Sequence, residues 1–221
     1  IQSSEETCQV LTGMEVKMRK ATRIAAAALG VFAGIGGPEH GIFEIMRGNT
    51  RPETLIFPSM GPPCDPEAVW HACEPAMSII PNYLITGVLA SLVGLVTIVW
   101  SLLYLHRKRA GWGLIGLSIL LLLIGGGLVP PIIGMLGGVL ATRIHAPIKR
   151  RSTRVSRFLA RLWPWSLIAF FVMLWGQFAI GFFFNDWFMN SGALIPLAIL
   201  VLLVLSILSA LAHDTERAAG A

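Results

Sequence analysis

The chain has 221 residues and a formal net charge of +5, with 55% hydrophobic and only 13% charged residues. Soluble domains carry about 25% charged residues, so this sequence lacks the polar side chains to cover an aqueous surface, and its mean hydropathy of +0.71 agrees. The basic residues fall in short blocks beside apolar runs, which excludes a nucleic-acid partner and fits topology signals and anionic-lipid contacts. Backbone inside a bilayer must satisfy its own hydrogen bonds, as helices or closed barrels do, and long unalternating apolar runs select helices. The expectation is an all-α integral membrane protein, a helical bundle of about six transmembrane segments, or five if the first is cleaved.

Residues 1–23 read as a cytoplasmic N-terminal segment. The sequence opens on Ile1, and Met14 or Met18 is the expected native start, which leaves Cys8 without a role. Lys17, Arg19, Lys20 and Arg23 precede an apolar run over 24–37. That run is a first span or a signal anchor, with a tolerable cleavage site at Val31-Phe32-Ala33. Residues 38–78 form the main extracytoplasmic loop, rich in Pro, Gly and acids. Pro38 can open a short helix to about Met46, with Ile42, Phe43 and Met46 on a lipid-facing side in the interface.

A second span is expected from about residue 79 to 105. It ends at His106-Arg107-Lys108-Arg109, with Trp100 and Tyr104 near the inner interface. The apolar run over 112–144 would be roughly 50 Å long as one helix, against a hydrocarbon core of about 30 Å. Gly125-Gly126-Gly127 and Pro130-Pro131 interrupt it, so it reads as a broken hairpin, about 112–127 and 130–144, with an outer turn. A re-entrant hairpin gives the same charge placement. Residues 145–162 are a basic cytoplasmic segment within the membrane bundle of 79–212. In it Arg150, Arg154, Arg157 and Arg161 share one helix face, and Val155, Phe158, Leu159 and Leu162 gather on the other. A fifth span over about 164–184, a short outer loop at Asn185-Asp186-Trp187, a last span over about 193–212 and a cytoplasmic tail at 213–221 complete the chain. Only Arg47 and Arg51 then lie outside. That places the protein in the plasma (inner) membrane with both termini cytoplasmic.

The outer loop holds the most distinctive residues. Cys64 and Cys73 stand nine apart, each followed by an acid and a proline. A disulfide in an oxidising compartment is the first reading. It requires the segment to turn back, because a continuous helix would separate the two Cα atoms by roughly 13 Å. A metal site is the second reading: Cys64, His71 and Cys73, with His40, Met46, Met60 and Met77 in the same region, suit copper(I), although the spacing matches no zinc pattern. Glu39, His40 and Glu44 form a further candidate ligand or proton site, with His40 and Glu44 on one helix face. If the first span continues past Pro38, these groups enter the outer half of the bilayer, where ionisable residues are functional candidates. The other reading is an interfacial helix with its polar side in water.

Gly126, Pro130 and Pro131 of the broken hairpin, and Gln177 in the fifth span, are candidates to line a transport path. Gln177 equally suits a bond to a neighbouring helix. Arg150, Arg154, Arg157 and Arg161 read as contacts to anionic lipid headgroups. Gly30/Gly34 and Gly134/Gly138 have the spacing of close helix packing. No Gly-x-Ser-x-Gly, His-Glu-x-x-His or phosphate loop is present, so no enzyme activity and no cofactor are expected. Three functions stay open, in this order: a non-catalytic accessory subunit that binds a membrane protein partner or a second copy; a small transporter or channel using the broken hairpin; and a metal-binding sensor or enzyme using the outer loop.

Overall fold

The computed structural model describes residues 19–59, 74–147, 152–191 and 194–219. Its elements are α1 (Lys20–Met46), β1 (Ile56–Pro58), β2 (Pro75–Met77), α2 (Tyr83–Leu103), α3 (Ala110–Leu123), α4 (Val129–Ala141), α5 (Arg154–Leu162), α6 (Trp165–Phe183), α7 (Asn185–Ser191) and α8 (Leu194–Ala219). The all-α class is as expected, apart from one small hairpin. Among the described residues three helices are long and apolar enough to cross a membrane: α1, α2 and α8. A fourth results if α5 and α6, bent by 51°, count as one. At 14 and 13 residues, α3 and α4 are each only about 20 Å long.

α1 is the central helix. Of its most apolar stretch, 61% is buried, against 33% for α2 and 28% for α8. Its seam with α2 is antiparallel and made of small residues. Gly34 faces Gly94 and Ile98, Gly37 faces Ala90, and Gly41 faces Gly87. A Cβ on Gly34 would lie 2.7 Å from the Gly94 carbonyl oxygen, so the two backbones meet with no side chain between them. Gly30/Gly34 therefore has a specific partner. Gly134 and Gly138 find theirs in Ser118 and Ile115 of α3, and Gly134 also meets Ala33 of α1.

α1 also corrects an expectation. The first helix does not end at residue 37, and 38–46 is not a separate helix. One helix passes through Pro38 to Met46. A mid-helix proline frees the carbonyl four residues back and crowds it. Here that carbonyl belongs to Gly34, and Gly94 of α2 fits against both: a Cβ on Gly94 would lie 2.5 Å from Gly34 O and 2.6 Å from Pro38 Cδ. The partner glycine leaves room for the proline ring and brings its Cα–H to the freed oxygen. Ile42, Phe43 and Met46 are exposed, as expected of a lipid-facing side.

The interruption at 112–144 falls where expected. α3 ends at Leu123, residues 124–128 form a turn, and α4 starts with its prolines in the first turn, where no intrahelical N–H is missed. Residue pairs at each interface make α4 antiparallel to α3 and α1, and α8 antiparallel to α6 and α1. The N-terminus of α1 therefore lies with the C-terminus of α8. Asp214 accepts hydrogen bonds there from Ala21 N (3.1 Å), Thr22 N (2.8 Å) and Thr22 Oγ1 (2.7 Å). It satisfies amide donors that a helix start leaves orphaned. Two further expectations change. The segment after Phe184 is a short helix, α7, rather than a loop, and α8 runs through the expected tail to Ala219.

Candidate functional site

The two constellations that the sequence keeps apart, His40/Glu44 and the Gly-Pro hairpin, are one place in the fold. His40 and Glu44 lie one turn apart on α1, under the turn of the broken hairpin. Both are buried, at 1% and 0% exposure. The turn reaches them because Gly125 and Gly127 take positive φ values of 95° and 81°, which glycine adopts without a Cβ penalty. A Cβ on Gly125 would lie 2.6 Å from each Glu44 carboxylate oxygen, and one on Gly127 would collide with His40 Nε2. Glycine is required here twice over, for backbone angle and for space.

The β1–β2 hairpin forms the roof. β1 and β2 pair antiparallel, Ile56 with Met77, Phe57 with Ala76 and Pro58 with Pro75. β2 is then sewn to the turn: Gly125 N donates to Met77 O and Ile79 N to Leu123 O, each at 2.9 Å. At the open end of this hairpin Ser59 N donates to Glu74 O at 2.9 Å, and both side chains face the site. Ser59 Oγ donates to Glu44 Oε1 at 3.4 Å. Glu74 Oε2 lies 3.7 Å from His40 Nε2, longer than a hydrogen bond of about 2.7–3.2 Å. Thr86 of α2 flanks Glu44, and Arg47 lies one turn beyond it. Arg47 is held by Ser59 O (3.5 Å) and by the Tyr83 ring (4.9 Å to the centroid). Tyr83 in turn packs edge-on against Phe57 at 4.9 Å.

Underneath the site, Leu121 is fully buried between Gly37 and Gly126. Three buried polar atoms of this site have no hydrogen-bond partner among the described residues: His40 Nδ1, His40 Nε2 and Glu44 Oε2. A buried polar atom left unpaired costs about 1–3 kcal/mol, and three of them meet at this one point. Among the described residues no group of three or more His, Cys, Asp and Glu side chains is arranged to hold a metal ion. What they offer is a pair, His40 Nε2 and Glu74 Oε2. Their separation is near the roughly 3.3 Å that two ligands about 2.0 Å from a tetrahedral ion span.

Other expected residues fall elsewhere. Glu39 is half-buried and leaves the face shared by His40 and Glu44. Pro130 packs on Gly36, and Pro131 is fully buried. Gln177 is buried on α6, which packs mainly on α8. Cys64, Cys73, His71 and Met60 lie outside the described residues, as does Arg150. Sequence reasoning missed Ser59, Glu74 and Thr86; Glu74 stood out only as the acid of a Cys-acid-Pro triplet. Compared with protein-family models, curated proteins and solved structures, the chain matches none.

Proposed function

We propose that this is an integral protein of the plasma (inner) membrane that takes up a small cation from the outer side at the His40–Glu44–Glu74 site. The observation that carries the proposal is the burial of His40 and Glu44 with unpaired polar atoms beside a second carboxylate. Glu44 and Glu74 supply carboxyl oxygens, and the imidazole of His40 supplies a nitrogen ligand. With two described ligands rather than a cage, a bound cation keeps part of its water. This reading moves the ion-handling classes ahead of the accessory subunit, because a scaffold has no use for unsatisfied buried polar groups. The three chain-length spans extend to six passes if α3, α4 and α6 each cross, with both termini cytoplasmic. The clustering of Arg19, Lys20 and Arg23 with Arg107–Arg109 and Arg143 at the end opposite the site supports this orientation.

Isothermal titration of the detergent-purified protein with Zn2+, Mn2+ and Na+, each alone, tests the site. At least one of them should bind saturably at one equivalent, and His40→Ala and Glu44→Gln should each abolish it. No saturable binding of any of the three, or binding unchanged in both variants, refutes the proposal. Flux of the bound ion into proteoliposomes then separates a carrier from a sensor.

A further inference from the structure

Helix α5 has three faces rather than two. Successive residues turn by about 100°, and Ser156 and Ala160 point to α8. There the Ala160 carbonyl lies 3.4 Å from His213 Nδ1, and Ser152 Oγ just before the helix donates to Glu216 Oε2 at 2.9 Å. A second face carries the exposed Arg154, Arg157 and Arg161. On the third, Leu159 and Leu162 are half-buried, but Val155 and Phe158 stay 67% and 62% exposed. The expected apolar face is thus only partly spent on the bundle, because α8 takes the small-residue side. Trp112 and Trp165, at the starts of α3 and α6, are exposed at the same end, as rings at a headgroup boundary are.

We propose that α5 lies in the plane of the membrane on anionic phospholipid, with Arg154 and Arg161 on the headgroup phosphates and Phe158 and Val155 at the top of the acyl chains. The arginine and apolar faces adjoin along one edge of the helix, which is the arrangement an interfacial helix needs. Charge complementarity selects the occupant: this end of the bundle is dominated by basic groups, and Asp214 and Glu216 are engaged inside it. The surface does not depend on the cation site, so either can fail alone.

The test is hydrogen exchange of the residue 152–163 peptide in the full chain, in nanodiscs of phosphatidylcholine with and without phosphatidylglycerol. Anionic lipid should slow exchange, by about fivefold per arginine and roughly 30-fold for the pair. The double variant Arg154→Gln/Arg161→Gln, which spares Arg157 beside Glu216, should return exchange to its value in the neutral nanodisc. High salt should narrow the difference. Equal exchange in both nanodiscs overturns the proposal, as does a lipid effect that the double variant leaves intact. Protection by inorganic phosphate in neutral nanodiscs also overturns it, since the surface would then read phosphate rather than a bilayer. Val155→Ser/Phe158→Ser should lose protection with anionic lipid, and unchanged protection overturns the seating of the apolar face.

Discussion

The turn over Glu44 makes a quantitative prediction through Gly125→Ala. At φ 95° an alanine costs about 1–2 kcal/mol in backbone strain. Its Cβ, 2.6 Å from both carboxylate oxygens and 2.9 Å from Glu44 Cδ, adds an overpacking cost of about 1–3 kcal/mol. The sum is about 2–5 kcal/mol. Glu44→Ala removes the obstacle, so Gly125→Ala in that background should keep only the backbone part. The coupling in the cycle is then about 1–3 kcal/mol. Gly48 calibrates the backbone part, because its φ is 70° and a Cβ there meets nothing within 4 Å. Reversible unfolding in mixed micelles, followed by tryptophan fluorescence, measures all four corners. An equal cost of Gly125→Ala with and without the Glu44 carboxylate would refute the placement of the turn on that side chain.

Two further perturbations probe the frame that holds the site. Asp214→Ala leaves Ala21 N and Thr22 N without their acceptor at a nearly dry helix start, and should lower stability by about 2–4 kcal/mol; an unchanged unfolding midpoint counts against the clasp between α8 and α1. Gly37→Ala and Gly116→Ala should differ in sign. The first drives a methyl into the Ala90 carbonyl and should destabilise by about 1–3 kcal/mol. The second meets nothing within 4 Å and should be neutral or gain about 0.5–1 kcal/mol in helix propensity; similar losses at both would mean that α1 and α2 do not pack backbone to backbone.

Local chemistry made much of the fold legible. The stop after α2 is four consecutive basic or imidazole residues, and the break between α3 and α4 is three glycines and two prolines within seven residues. Both signals act within a turn or two of where they stand. The path of α1 through Pro38 was not legible, because what permits it is Gly94, fifty-six positions away on another helix. The same holds for the site. His40 and Glu44 announce a shared face by their spacing, but nothing near them says which water or carboxylate they meet. Glu74 arrives on a hairpin and Gly125 on a turn, through tertiary contacts alone. The arginine face of α5 was readable from its period, whereas the partial exposure of its apolar side depends on which face α8 occupies.

These contacts also indicate which parts of the site can move. The α1–α2 seam carries little side chain, so it has few rotamers with which to open, and separating it would break backbone contacts along the whole row from Gly34 to Gly41. The opposite wall is built differently. The turn at 124–128 is tied to β2 by the Gly125 N–Met77 O and Ile79 N–Leu123 O bonds, and β2 brings Glu74 to His40. Roof and turn therefore shift together if they shift at all, with Gly125 and Gly127 absorbing the change in backbone angle. A cation that pulls Glu74 toward His40 would draw the turn toward α1, and α4, which begins at the turn, would register it at its opposite end beside Arg19, where Arg19 N bonds Ile144 O at 3.3 Å. Binding at the site would thus be felt at the opposite end of the bundle through α4.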